Sequence, residues 1–387
     1  MNASSLPTQR YYRIAVSAFY FMQGIVFASW ASRIPDVQQR LHLSNGELGG
    51  LLFALPLGQL TAMMLSGYLV NKFGSKAALT FAALLYPGGL LLLGAVQEIW
   101  QLFGALFLFG VFGNLSNISV NTQGVGVERL YRRSIMASFH GLWSLAGFVG
   151  GLIATLMVSL NVSPFWHFVF INILTVTILF FAIKYVVPRD NKPVMAKENK
   201  KQLIMPDAFI LTLGFIAFAC MICEGTMFDC SGIYFETIIK APKELTRLGY
   251  IAFMSTMAGG RFVSDAFVTR FGVKRILQFS GIVILSGMLL IVGFPSIPIA
   301  TIGFLLVGIG TSSVVPLVYS LAGRSKIIAP GIALTLVSSI GFLGFLFGPP
   351  LIGFIAQAAN LRISFTLIAF LGLGTTLLAK RIGRLNS

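Results

Sequence analysis

A few residues of this chain have the type and spacing to do chemistry, and nearly all stand inside apolar surroundings. Glu224 lies in a long apolar run with no base near it in sequence. A carboxyl deprived of water can exchange its proton near working pH; a protonated Glu bonded to a neighbouring backbone carbonyl fits the same position. His140 shares a face with Ser144, Gly147 and Gly151. An imidazole titrates in the range that proton exchange needs, and a neutral ring packed against a neighbour accounts for it equally well. Gly110, Asn114, Asn117 and Asn121 follow one another at helical spacing, which sets three amides on one face. Those amides can donate to and accept from a hydroxyl-rich solute, or bond one helix to the next. Gln23, Gln59 and Tyr319 sit in apolar runs of their own and are candidates for the same cavity. Trp143 offers a ring for stacking on a solute, and packing explains it too.

The elements that position these residues follow from composition. Of 387 residues 56% are hydrophobic and only 10% charged, against about 25% charged in soluble domains. Such a chain cannot cover a soluble surface of its size. The net charge of +16 would suggest nucleic acid in a soluble domain. Here the bases fall in short breaks between apolar runs, as topology signals do, so no nucleic-acid partner is expected. Cys220, Cys223 and Cys230 lie in one apolar segment without a second pair or a nearby His, so they read as packing residues, and neither metal nor cofactor is implied. The chain carries no Walker loop, no His-Glu-x-x-His and no nucleophile elbow, so enzyme chemistry is not expected.

A helix needs about 20 apolar residues to cross the hydrocarbon. The apolar runs place twelve spans at about 14–34, 46–70, 77–96, 101–127, 135–158, 164–187, 207–231, 246–268, 275–295, 298–320, 330–356 and 361–380. The first apolar run is too long for a signal-peptide core and reads as a span. With this count, about 22 of the 28 Lys and Arg fall on the side of both termini, which is therefore cytoplasmic. A hydrophilic linker over residues 188–205 separates two six-span halves, 1–187 and 206–387. An internal repeat supports that division: Asn71, Lys72, Phe73, Gly74 and Lys76 after span 2 match Thr269, Arg270, Phe271, Gly272 and Lys274 after span 8. Arg33 and Asp229 stand near the outer ends of spans 1 and 7 and are candidates for a gating ion pair; interface positions for each fit as well.

Gly67, Asn71, Lys72, Gly74 and Lys76 resemble the loop 2–3 signature of the major facilitator superfamily, with Asn71 where Asp is usual and Ser75 where a base is usual. The resemblance implies that Asn71, Lys72 and Gly74 belong to the cytoplasmic gate. Arg261 and Asp265, one turn apart ahead of the second copy, are candidates for a charge there or a local ion pair. Gly341, Gly344, Gly348, Pro349 and Pro350 in span 11 are similar to the family's Gly-Pro bend, which proton antiporters carry in span 5; span 5 here has Gly147, Gly150 and Gly151 but no Pro. Trp30, Arg33, Pro35, Asn117, Asn121, Gln123, Glu224 and Asp229 stand in segments that resemble a bacterial branch near the fucose permeases.

The resemblance implies a monomeric, multi-pass secondary transporter of the bacterial inner membrane, moving a small polar solute, sugar-like or related, by proton-coupled symport. Its partners would be that solute, protons and the lipid bilayer. A proton-coupled exporter of amphipathic compounds and a non-transporting sensor of the same fold are the alternatives.

Overall fold

The computed structural model describes residues 6–131, 135–188, 206–322, 325 and 330–385; the linker expected over 188–205 lies outside them except for Pro188. Among the described residues the chain is helical and has no strand. The first half holds α1 (Leu6–Ala31), α2 (Ile34–Arg40), α3 (Asn45–Leu52), α4 (Ala54–Phe73), α5 (Ser75–Ala95), α6 (Ile99–Tyr131), α7 (Met136–Ser159) and α8 (Pro164–Ala182). The second holds α9 (Ala208–Thr237), α10 (Leu248–Phe271), α11 (Val273–Gly293), α12 (Ile297–Thr311), α13 (Val314–Ala322), α14 (Pro330–Ala358) and α15 (Leu361–Leu385).

Among the described residues ten helical stretches are long and apolar enough to cross a membrane, and the bent pair Asn45–Met63 and Leu65–Phe73 makes an eleventh. The twelfth helix of spanning length is α10, with 24 residues. It falls outside that apolar count and carries Arg261, Asp265 and Arg270. Polar residues in a span need protein or a water-filled cavity beside them.

The helices gather into two compact units. Unit 1 takes Met1–Trp30, Ala54–Ile153 and Asn161–Ile204. Its core joins Val16, Phe19 and Tyr20 of α1 to Leu79 of α5, Val120 of α6 and Phe139 of α7. Its tightest crossing is α4 on α6: a Cβ on Gly110 would lie 2.0 Å from the Leu55 carbonyl oxygen. Backbones in lipid gain little from hydrophobic segregation, so close approach at glycine is how they pack.

Unit 2 takes Ala31–Phe53, Ala154–Leu160 and Met205–Ser387. In it α10 crosses α12 by the same device: a Cβ on Gly308 would lie 2.3 Å from the Phe253 carbonyl oxygen. Gly110 and Gly308, and Leu55 and Phe253, stand apart by the interval that separates Gly74 from Gly272. Both loop glycines have positive φ, 86° and 80°, and each joins one helix directly to the next. A side chain there would be strained, which is why the repeated loop holds Gly at that place. The repeat therefore extends from the loops into the helix contacts.

Candidate functional site

In unit 1 the polar candidates converge from α1, α6 and α7. The Tyr20 hydroxyl donates to Asn121 Oδ1 at 2.6 Å, and Asn121 Nδ2 donates to Asn117 Oδ1 at 3.1 Å and to the Asn117 carbonyl at 2.8 Å. The His140 ring meets Tyr20 edge-on, with centroids 5.3 Å apart. His140 and Asn117 are exposed and Asn121 half-buried. Gln23 is buried and donates to the Ser116 hydroxyl at 2.7 Å, so it ties α1 to α6. Asn114 differs from its neighbours: its Oδ1 is buried and has no hydrogen-bond partner among the described residues. A buried acceptor left unmet is costly in a membrane protein, and a solute donor would satisfy it. Trp143 packs near Phe27, with centroids 5.9 Å apart. Gln59 on α4 is half-buried, and its backbone lies against Gly110.

In unit 2 the site is charged. Glu224 sits near the middle of α9, 6% exposed. The Cys220 thiol, one turn earlier, lies 3.7 Å from Glu224 Oε1 and 3.9 Å from the Thr311 carbonyl at the end of α12. Arg261 of α10 lies within electrostatic reach of Glu224, as does Tyr319 of α13. Tyr319 can reach inward because α12 stops at Thr311 and the chain turns at Ser312 and Ser313 before α13 begins. The carboxyl thus has a thiol of α9 beside it and a guanidinium of α10 and a phenol of α13 within electrostatic reach, while the thiol also meets the end of α12. A carboxyl in such a place can take up or release a proton. The carboxyl was legible from sequence as a lone acid in an apolar run, but its partners were not. Cys220 read as packing, Arg261 as part of a gate, and helix pairing carries no signal in one sequence.

The gating candidates separate. Arg33 is 1% exposed and donates to Asp36 at 3.2 Å. Its carboxylate partner here stands three residues on in sequence, and Asp229 is half-buried on α9. Asn71 and Lys72 are exposed, and the Lys72 ammonium lies 5.3 Å from the rings of both Tyr68 and Phe73. Ser75 is fully buried and accepts from Gln123 Nε2 at 2.7 Å, and Gln123 also bonds both backbone groups of Val187. A base would not fit that buried place, which accounts for the departure from the loop signature. Asp265 lies on α10, and its side chain is outside the described residues.

The family model described as "Major Facilitator Superfamily" matches residues 14–326. The chain is 29% identical to an MFS-type transporter of Yersinia pestis, over 96% of this chain and 96% of that one. Its fold is similar to that of a variant of the nucleoside transporter NupG, with a TM-score of 0.76 at 14% identity over 97% of this chain and 99% of that one. It is also similar to a D-xylose-proton symporter, with a TM-score of 0.75 at 15% identity over 96% and 97% of the two chains.

Proposed function

Since the chain belongs to the Major Facilitator Superfamily and is a membrane transporter of that kind, we propose that it is a proton-coupled symporter of a small, polar, sugar-like solute. It works by alternating access in a bacterial inner membrane with both termini cytoplasmic, the side that the Lys and Arg distribution favours. The observation that carries the reading is Glu224: a buried carboxyl in the middle of a span, facing Arg261, Tyr319 and Cys220. An intramembrane acid is costly, so its presence in a span supports a functional role. Glu224 carries the proton, and Arg261 holds the carboxylate when the proton has left. Asn114, Asn117, Asn121, Gln23 and His140 supply the uncharged hydrogen bonds that a hydroxylated solute needs, with Gln59, Trp143 and Tyr319 as further contacts. Asn71, Lys72 and Gly74 serve the cytoplasmic gate.

The test is uptake by proteoliposomes. A thermal-shift screen of sugars, polyols and nucleosides selects a ligand, and its labelled form is offered with and without an inward proton gradient. Symport predicts accumulation with the gradient and only equilibration without it. Accumulation against an outward gradient would point to exchange instead, and no flux in either case would overturn the transport of that solute.

A further inference from the structure

The end of α9 and the approach to α10 enclose a cavity that the site around Glu224 does not use. α9 ends at Thr237, and Lys240 takes a φ of 56°, a left-handed conformation uncommon outside glycine. It lets the chain double back, so that the Ala241 N–H donates to the Phe235 carbonyl at 2.9 Å. Pro242, which has no N–H to donate, stands ahead of the short 3-10 turn Lys243–Leu245, and Arg247 follows just before α10. The reversal brings Lys243 and Arg247 within electrostatic reach of Glu236, in the last turn of α9. Together with Asp36 and Gln39 of α2, which belong to the same compact unit, these residues line a cavity of about 150 Å³.

The groups around the cavity differ in what they still have to offer. Asp36 has both oxygens engaged, one by Arg33 Nη1 at 3.2 Å and the other by Arg247 Nη2. Arg247 is 2% exposed, and its Nη1 donates to the Lys243 carbonyl at 3.1 Å and to the Thr246 hydroxyl at 2.8 Å. Its Nε–H is buried and has no acceptor among the described residues. An unmet buried donor is costly, and more so on a charged group. Glu236 is half-buried and forms no ion pair with Arg247 or Lys243 among the described residues. Lys243 and Gln39 are exposed, so the cavity opens to solvent on their side.

The spare groups are of both signs. A plain anion would be drawn to Lys243 and the Arg247 Nε–H and repelled by Glu236; a plain cation would meet the reverse. A zwitterion satisfies both at once. Its carboxylate accepts from Arg247 Nε and Lys243 Nζ, and its ammonium donates to Glu236, all of them charge-assisted bonds of the stronger kind. Volume sets the size. A water needs about 10–15 Å³ of such space, so the cavity has room for roughly ten non-hydrogen atoms, and glycine, alanine and serine fall within that. Buried charges add little stability over apolar side chains of the same volume, so this charged wall is better explained by what it binds than by what it holds together.

We propose that this cavity is a binding site for a small α-amino acid, held at its carboxylate by Arg247 and Lys243 and at its ammonium by Glu236. It is a second site, made of residues that the site around Glu224 does not contain, and it does not depend on the proton-coupled reading above.

The test is isothermal titration of the full chain in detergent with glycine, alanine and serine, with acetate and ethylamine as probes that carry one charge each. A hydrogen bond to a charged group is worth about 10- to 150-fold in affinity. The amino acids should bind the wild-type chain more tightly than acetate or ethylamine by a factor in that range, and should raise its melting temperature as their concentration rises. Lys243→Gln and Glu236→Gln should each weaken alanine by a similar factor. Each should also change the preference: Glu236→Gln should tighten acetate and Lys243→Gln should tighten ethylamine, which a damaged fold would not do. Glu224→Gln should leave the alanine affinity as it is. If none of the amino acids binds, the cavity holds water only and the proposal is overturned. Acetate binding as tightly as alanine also overturns it, as does unchanged alanine affinity in both cavity variants. Loss of alanine binding in Glu224→Gln would place the amino acid in the transport site and overturn the second site. Failure of proton-coupled uptake in proteoliposomes would leave every one of these titrations readable.

Discussion

The polar face of α1, α6 and α7 in unit 1 and the cluster around Glu224 in unit 2 stand on related ground. Asn121 and Tyr319 are separated by the repeat interval that also relates Gly110 to Gly308, and so are Asn114 and Ser312. Yet α6 runs unbroken for 33 residues, while its counterpart is divided into α12 and α13 at Ser312 and Ser313. Unit 1 holds amides, hydroxyls and an imidazole, several of them bonded to each other. Unit 2 holds a buried carboxyl with a half-buried guanidinium within its electrostatic reach. The helix contacts were kept through the duplication and the chemistry was not. Uncharged donors and acceptors tolerate partial exposure, whereas a buried carboxyl needs compensating partners, and Tyr319, beyond the break after α12, lies within its electrostatic reach. Under the proton coupling proposed above, the two species would be held by different groups.

The strongest way to break this comparison is Glu224→Gln. If unit 2 carries the proton and unit 1 the solute, the variant loses gradient-driven accumulation while exchange of labelled for unlabelled solute across the membrane persists. Proteoliposome uptake and counterflow measure the two. Normal accumulation by the variant would remove Glu224 from the coupling role.

Next in size is Arg261→Gln. Arg261 lies within electrostatic reach of Glu224 and is half-buried, so losing its charge should lower stability by less than the about 3–5 kcal/mol of a fully buried pair. Adding Glu224→Gln to it should recover most of that stability, since both charges are then gone. Thermal unfolding in detergent of the two single variants and the double gives the coupling directly. Additive losses would show that Arg261 and Glu224 act independently.

The shared scaffold can be tested without touching either site. Gly110→Ala and Gly308→Ala both drive a methyl into a backbone carbonyl, at 2.0 and 2.3 Å. Overpacking of that kind costs about 1–3 kcal/mol, so both should lower the melting temperature, and by similar amounts. Gly104→Ala on α6 is the control: a Cβ there meets nothing within 4 Å. A loss at one crossing and none at the other would mean that the repeat is preserved in position only.

Much of the frame was legible before any coordinates. Apolar length gives an all-helical membrane chain, of which ten to eleven apolar spanning helices are found among the described residues, because the bilayer leaves a spanning chain few choices. Glu224 and the spacing of Asn114, Asn117 and Asn121 were also legible, since polar groups in apolar runs stand out. Tyr20, Ser116, Asp36 and Arg247 were not. Tyr20 and Ser116 matter only through contact with helices distant in sequence. Asp36 and Arg247 lie near span ends, where a charge is ordinary. The Arg33–Asp229 pairing rests on equating helix ends, and the contact of Arg33 with Asp36, three residues on, was not read from the sequence.

The finest test separates packing from binding inside unit 1, where the expected stability changes are small. Gln23 donates to Ser116 at 2.7 Å in a buried setting, so that bond is already spent on joining α1 to α6. Interhelical hydrogen bonds in membranes average about 0.6 kcal/mol, and Ser116→Ala should cost about that much while leaving solute affinity nearly unchanged. Asn114 is the opposite case. Its Oδ1 has no partner among the described residues, so Asn114→Ala removes no bond of that oxygen and should leave the melting temperature level or slightly higher. If a solute hydroxyl completes that acceptor, the same variant loses a hydrogen bond worth about 1–3 kcal/mol in the complex, or roughly 5- to 150-fold in affinity. Tyr20→Phe should fall between the two, since Tyr20 positions Asn121 at 2.6 Å and need not touch solute itself. Thermal unfolding and ligand titration of the same three preparations place each residue on both scales. A destabilised Asn114→Ala with unchanged affinity would return the amide face to packing and leave the solute site to be sought elsewhere.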